Sequence, residues 1–109
     1  MVTFTSTQRN VVFRALADPT RREILRLLRG RQQTVGQLAS NFATSRPAIS
    51  RHLRLLRSAR LVVTRENGTT RVCELNAKPL RAVDEWLKDY DAFWSDSLRS
   101  LKRHLEERA

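Results

Sequence analysis

Apolar residues recur every three or four positions from about residue 7 to residue 58, give way to two β-branched runs, then return to helical spacing up to the end of the chain. "QRNVVFRALA" places Val12, Ala15 and Leu16 on one face and predicts a first helix from near Thr7. In "ADPTRREILRLLRG", Asp18 is an N-cap, Pro19 suits the first turn, and Ile24, Leu27 and Leu28 form the apolar stripe. Gly30 is placed to close that helix in a left-handed conformation. "TVGQLASNF" opens with Thr34 and Gln37 at capping-box spacing, which predicts a short third helix. A fourth begins at Thr44 or Ser45 with Pro47 in its first turn. "RLVVTRE" and "TTRVCEL" read as strands joined by an "NG" hairpin turn, and from Pro79 onward the spacing predicts one long helix.

On a helical wheel the fourth segment turns Ile49, Leu53 and Leu56 inward and Pro47, Ser50, Arg51, Arg54 and Ser58 outward, with Ser45 and Arg46 at the amino end. Thr44 to Val62 contains five arginines and no acidic residue. Small polar groups beside guanidinium groups let such a helix approach a polyanion, bond phosphates and grip a guanine edge bidentately. A short helix, a tight turn and a second helix with an apolar inner face and a basic outer one form a helix-turn-helix pattern. The hairpin adds Arg65 and Arg71 beside a tip containing Asn67.

The whole-chain charge of +10 sharpens this reading through its distribution. Residues 1 to 75 carry fourteen arginines against four carboxylates, whereas residues 76 to 109 balance seven cations with seven anions. A basic body and a neutral, leucine- and aromatic-rich tail suggest nucleic-acid contact by the first and self-association by the second. With 109 residues the chain suits one compact domain, without a run apolar enough to span a membrane or a secretory-type start, and it reads as cytoplasmic. Cys73 is the single cysteine, so an internal disulfide is excluded. Paired carboxylates, a nucleophile with its base and a phosphate-cradling glycine loop are all lacking, which argues against an enzyme.

The segments "VFRALADPTRREILRLL", "TVGQLASNF", "SRPAISRHLRLLRSARLV" and "RENGTTRVCEL", with a last helix beginning "KPLRAVDEWL", together resemble the ArsR/SmtB winged-helix repressors over nearly the whole chain. The resemblance implies a mostly α winged helix-turn-helix fold with a small β-hairpin wing, in the order helix-helix-helix-helix-strand-strand-helix, dimerising through terminal helices. It places Ser45, Arg46, Pro47, Ser50, Arg51 and His52 on the helix that reads the major groove. Thr44, Arg54, Arg65, Asn67 and Arg71 complete the expected DNA-binding set. The expected organisation is a single domain, 1–109, with a DNA-binding core at 8–75 and a dimerisation helix at 79–107.

Two departures from the family pattern stand out. Arg60 follows the reading helix where many relatives have glycine, so a left-handed cap there should cost roughly 1 kcal/mol. Cys73 replaces a common aromatic in the second wing strand and reads as a small buried hydrophobe.

Metal sensing in this family uses ligands that this chain lacks. At the third-helix positions stand Thr34 and Gly36, and at the last-helix positions Ala77, Pro79, Tyr90 and Phe93. Asp91, His104 and Glu107 reproduce part of the spacing in a register fourteen residues late, with Phe93 in place of a histidine. Neither a metal nor a cofactor is expected.

Leu80, Val83, Leu87, Tyr90, Trp94, Leu98, Leu101 and Leu105 follow steps of three and four, a heptad seam with one stutter that Trp86 and Phe93 widen. Leu80 to Leu101 of this seam form the expected homodimer interface. The alternative is an intramolecular lid over the first two helices. The expected function is a metal-independent dimeric repressor on an inverted-repeat operator in double-stranded DNA, with an unknown small-molecule effector left open. The rival readings are a nucleoid-type or RNA-binding module without sequence selection, and a protein-interaction domain acting through its terminal helix.

Overall fold

The structure, a computed structural model, describes residues 4–108. Residues 1–3 and 109, which the sequence reading included in the domain, lie outside the described residues. Its elements are α1 (Ser6–Leu16), α2 (Pro19–Gly30), β1 (Gln33–Thr34), α3 (Val35–Ala39), α4 (Arg46–Ser58), β2 (Val62–Asn67), β3 (Thr70–Leu75), a 3₁₀ turn (Lys78–Leu80), α5 (Arg81–Lys88) and α6 (Asp91–Arg108). This is the mostly helical winged helix-turn-helix expected, with differences at the junctions.

Helix starts follow local chemistry. Asp18 accepts from the Arg21 amide at 3.1 Å, and Thr34 and Gln37 satisfy each other's backbone donors. A second capping box, Thr5 with Gln8, starts the first helix at Ser6 rather than Thr7. Gly30 departs from its expected role. The chain leaves α2 through Arg31 in extended conformation (φ −170°), because it must run directly into β1, whose pairing with β3 sets Gln33 opposite Cys73. That two-residue strand, too short to show a period, turns the wing into a three-stranded sheet of order β1-β3-β2.

The hairpin turn also falls one residue later than expected. Asn67 pairs with Thr70, so Gly68 and Thr69 form the loop, and only Gly68 takes positive φ (65°). A turn with glycine at its first central position needs one left-handed residue, where an Asn-Gly turn needs two. This register turns Cys73 inward, fully buried between the sheet and the helices. Burial pushes the Cys73 thiol above its ordinary pKa, against the opposing pull of Arg57 and Arg71, so it packs as a neutral hydrophobe.

One core holds Val12 and Ala15 of α1, Ile24, Leu25 and Leu28 of α2, Leu38 of α3, Ile49, Leu53 and Leu56 of α4, and Leu61, Val62 and Cys73 of the sheet region. The last helical region is not one rod. Leu80 and Val83 pack against this core, and Trp86 meets Phe13 of α1 edge-on at 5.6 Å, so α5 is a lid over α1. At Asp89 and Tyr90 the amides reach back three residues, to Trp86 and Leu87, and a separate helix begins. The apolar spacing survives this joint, with its stutter beside it, which is why the pattern alone reads as continuous. No residue of α6 is buried. The radius of gyration is 18.2 Å, against about 13 Å for a compact chain of this length, because α6 projects.

The carboxyl end of α4 is closed by a left-handed residue, as expected at Arg60 (φ 61°). The Arg60 amide donates to Arg57 O and the Leu61 amide to Leu56 O, both at 2.9 Å, while Leu61 and Leu56 are both fully buried. This is a Schellman closure with its hydrophobic contact. Arg60→Gly removes the Cβ penalty and should stabilise the fold by about 0.5–1 kcal/mol, less the extra chain entropy of glycine. Thermal unfolding checks it through a rise in Tm of several degrees.

Candidate nucleic-acid interface

The orientation of α4 is set from its inner side. Ile49, Leu53 and Leu56 are at most 1% exposed, so rotation of the helix is excluded by packing. Ser45 caps it, accepting from the Ala48 amide at 3.3 Å, with Pro47 in the first turn. The outer side then presents Arg46, Pro47, Arg51 and Arg54 to solvent, with Thr44 and Ser45 exposed just before them and Ser50 half-buried. Arg46 reaches back over Gly36, its guanidinium 3.9 Å from where a Cβ on that glycine would stand. Arg46, Ser50, Thr34, Thr70 and Arg71 line one polar cleft between α4, the start of α3 and the wing.

The structure separates residues that the sequence treated alike. His52 lies on α4 but turns toward the start of α2, with Nδ1 3.2 Å from an Arg21 nitrogen and 3.9 Å from Asp18. An arginine nitrogen can only donate, so in this contact Nδ1 is the acceptor. In the wing, Arg65 pairs with Glu74 at 3.0 Å, whereas Arg71 forms no ion pair among the described residues. Asn67 is exposed at the hairpin tip.

Arg21 is the site residue that sequence reasoning missed. Its side chain donates to Ala15 O at 2.7 Å, to Arg14 O at 2.9 Å and to His52. It thereby satisfies the last carbonyls of α1 and ties α1, α2 and α4 together. One signal was available, an arginine three residues after an Asp-Pro helix start, but its partners are distant in sequence.

Residues 18–64, from the cap of α2 to the first wing strand, match the family described as "Bacterial regulatory protein, arsR family". The chain is 43% identical over 98 residues to the HTH-type transcriptional regulator Rv2034 of Mycobacterium tuberculosis, covering 90% of this chain and 87% of that protein. The chain belongs to the ArsR family. A second relative is the transcriptional repressor SdpR of Bacillus subtilis, 38% identical over 81 residues, which cover 74% of this chain and 90% of that one. A crystal structure of an ArsR family transcriptional regulator superposes with a TM-score of 0.77 at 33% identity, covering 86% of this chain and 97% of the other. As an ArsR-type protein, this chain is a sequence-specific DNA-binding regulator of transcription and not an enzyme. Among the described residues no helix is long and apolar enough to cross a membrane.

Asp18 caps α2 and faces His52, so it bears on the placement of α4. Burial opposes its charge. The Arg21 amide, His52 and the Thr20 amide outweigh that opposition, leaving the carboxyl below its ordinary pKa. A depressed folded pKa means stability that is complete above the unfolded value of about 4 and is lost as pH falls through the folded one. Asp18→Ala should therefore cost about 1 kcal/mol near pH 7 and less at the acid end, where the neutral carboxyl keeps the cap bond to the Arg21 amide but loses its charge. Urea unfolding of both proteins across that window measures the difference.

Proposed function

We propose that the protein is a homodimeric repressor that occludes a promoter by seating two copies of α4 in the major grooves of an inverted repeat, without sensing a metal. The observation that carries the dimer is α6. Phe93, Trp94, Leu98, Leu101 and Leu105 are each more than half exposed along a helix about 27 Å long. A stripe of that size is stable in water only against another apolar surface, and a second copy of the same helix supplies one. Leu87 and Tyr90 extend the surface toward the core, whereas Leu80 and Val83 act mainly inside the subunit. The working division is a DNA-binding core at 8–75 and a dimerising tail at 79–107.

For the reading helix we assign base contact to Arg46 and Arg51, supported by Thr44, Ser45, Pro47 and Ser50, and backbone contact to Arg54, Asn67 and Arg71. Arg65, already paired with Glu74, contributes less, and His52 acts from behind through Arg21. Metal independence is supported by the donors. Thr34 and Gly36 hold no soft ligand, and Asp91 and His104 are about 20 Å apart along one helix.

Two experiments bear on this reading. Replacing Leu87 and Trp94 together by glutamate should give folded monomers by ultracentrifugation and circular dichroism, with operator affinity reduced a hundredfold or more and weak, salt-sensitive binding to random duplex retained. A folded monomer with wild-type operator affinity would refute the dimer and favour a docking helix for another protein. For the arginines, Arg46→Ala or Arg51→Ala should cost about 1–3 kcal/mol and relax preference at defined base pairs. Arg71→Ala should weaken all sequences alike and lower the salt slope by about 1. Competition against single-base operator variants separates the two patterns.

A further inference from the structure

We infer that a trough at the carboxyl end of α4 binds a small amphipathic anion, an apolar chain or ring bearing a carboxylate. Arg60 is the one residue other than glycine with positive φ among the described residues. Backbone strain at an exposed arginine has no use in the fold itself. The Schellman closure is made by amides that any residue supplies, and the helix dipole already has Arg57 in the last turn. Arg60, however, lines two adjoining depressions that also share Phe4 and Pro79. One is a small apolar groove of about 150 Å³ walled by Val11, Val12 and Ala59, room for a short alkyl chain or a single ring. The other brings Lys78 and Arg81 beside Arg60, and none of the three cations forms an ion pair among the described residues.

The trough is held rigid at its centre by Asn76. Its side-chain amide donates to Arg60 O at 2.8 Å, its backbone amide to Leu61 O at 2.8 Å, and its side-chain oxygen accepts from the Lys78 amide. An apolar wall continuous with three uncompensated cations is complementary to a molecule with a hydrophobic body and one anionic end. The site lies about 20 Å from the amino end of α4 and so is separate from the base-reading residues. A ligand there would bridge the end of α4 and the segment leading into α5, the two parts whose relative placement sets the spacing of reading helices in a dimer.

Octanoate, with octanamide as its uncharged counterpart, tests the inference by isothermal titration of the full chain without DNA, so the result does not depend on the repressor reading. Saturable binding of octanoate is expected, at least tenfold tighter than octanamide. Arg60→Gly should lose tenfold or more in octanoate affinity while unfolding at a higher temperature than wild type, a combination that no general destabilisation produces. Lys78→Gln with Arg81→Gln, both exposed, should weaken binding in the same direction. The inference is overturned if octanoate shows no saturable binding up to about 10 mM, if octanamide binds equally well, or if Arg60→Gly binds as wild type. If octanoate does not bind and Arg60→Gly instead lowers affinity for all DNA sequences alike, the cations are a DNA-backbone patch and the site is again refuted.

Discussion

The structure depends on the burial of three side chains, Ile49, Leu53 and Leu56, along the inner edge of α4. They share one core with Ile24 and Leu28 of α2, Leu38 of α3, Leu61 just before β2 and Cys73 of β3. Rotating α4 by even a third of a turn would expose them and bring arginines inward, at a cost of several kcal/mol from lost apolar burial and desolvated charge. The basic surface therefore needs no specific attraction to hold it outward. Packing behind the helix presents Arg46, Arg51 and Arg54 before any DNA arrives.

Around that packed edge, a few polar contacts fix the ends of elements rather than their middles. Arg21 closes α1 and braces His52, Asp18 starts α2, Ser45 starts α4, and Asn76 clamps the exit from α4. Each acts where helices leave backbone groups unsatisfied. The result is a stiff unit in which the polar cleft containing Arg46 and Arg71 is shaped by three elements at once. Such preformed geometry lowers the entropic cost of forming directional contacts with a duplex.

The tail follows a different logic. Its first part, through Trp86, completes the subunit by covering α1, and its second part, α6, leaves the subunit altogether. Charge is divided along the same line, with all of the net +10 in residues 1 to 75 and a balanced tail beyond. A neutral apolar helix can meet its own copy without repulsion, whereas the arginine-rich bodies repel one another until a polyanion lies between them.

Much of this was legible in the residues alone, because it rests on local rules. The caps at Asp18, Thr34 and Ser45 and the inner stripe of α4 each depend on a few neighbouring residues, and the combined pattern identified the family, through which the strain at Arg60 and the burial of Cys73 were expected. What the sequence could not decide was everything that joins distant segments. β1 exists only because Gln33 and Thr34 find β3, Gly30 stays out of the left-handed region because the chain must reach that pairing, and the turn moves to Gly68 and Thr69 because the sheet register demands it. Likewise, periodicity laid Leu80 to Leu105 on one face but was blind to which of them the chain's own core would claim. Only packing separated Leu80 and Val83 from the exposed stripe of α6, since burial is a property of the surroundings and spacing is a property of the helix.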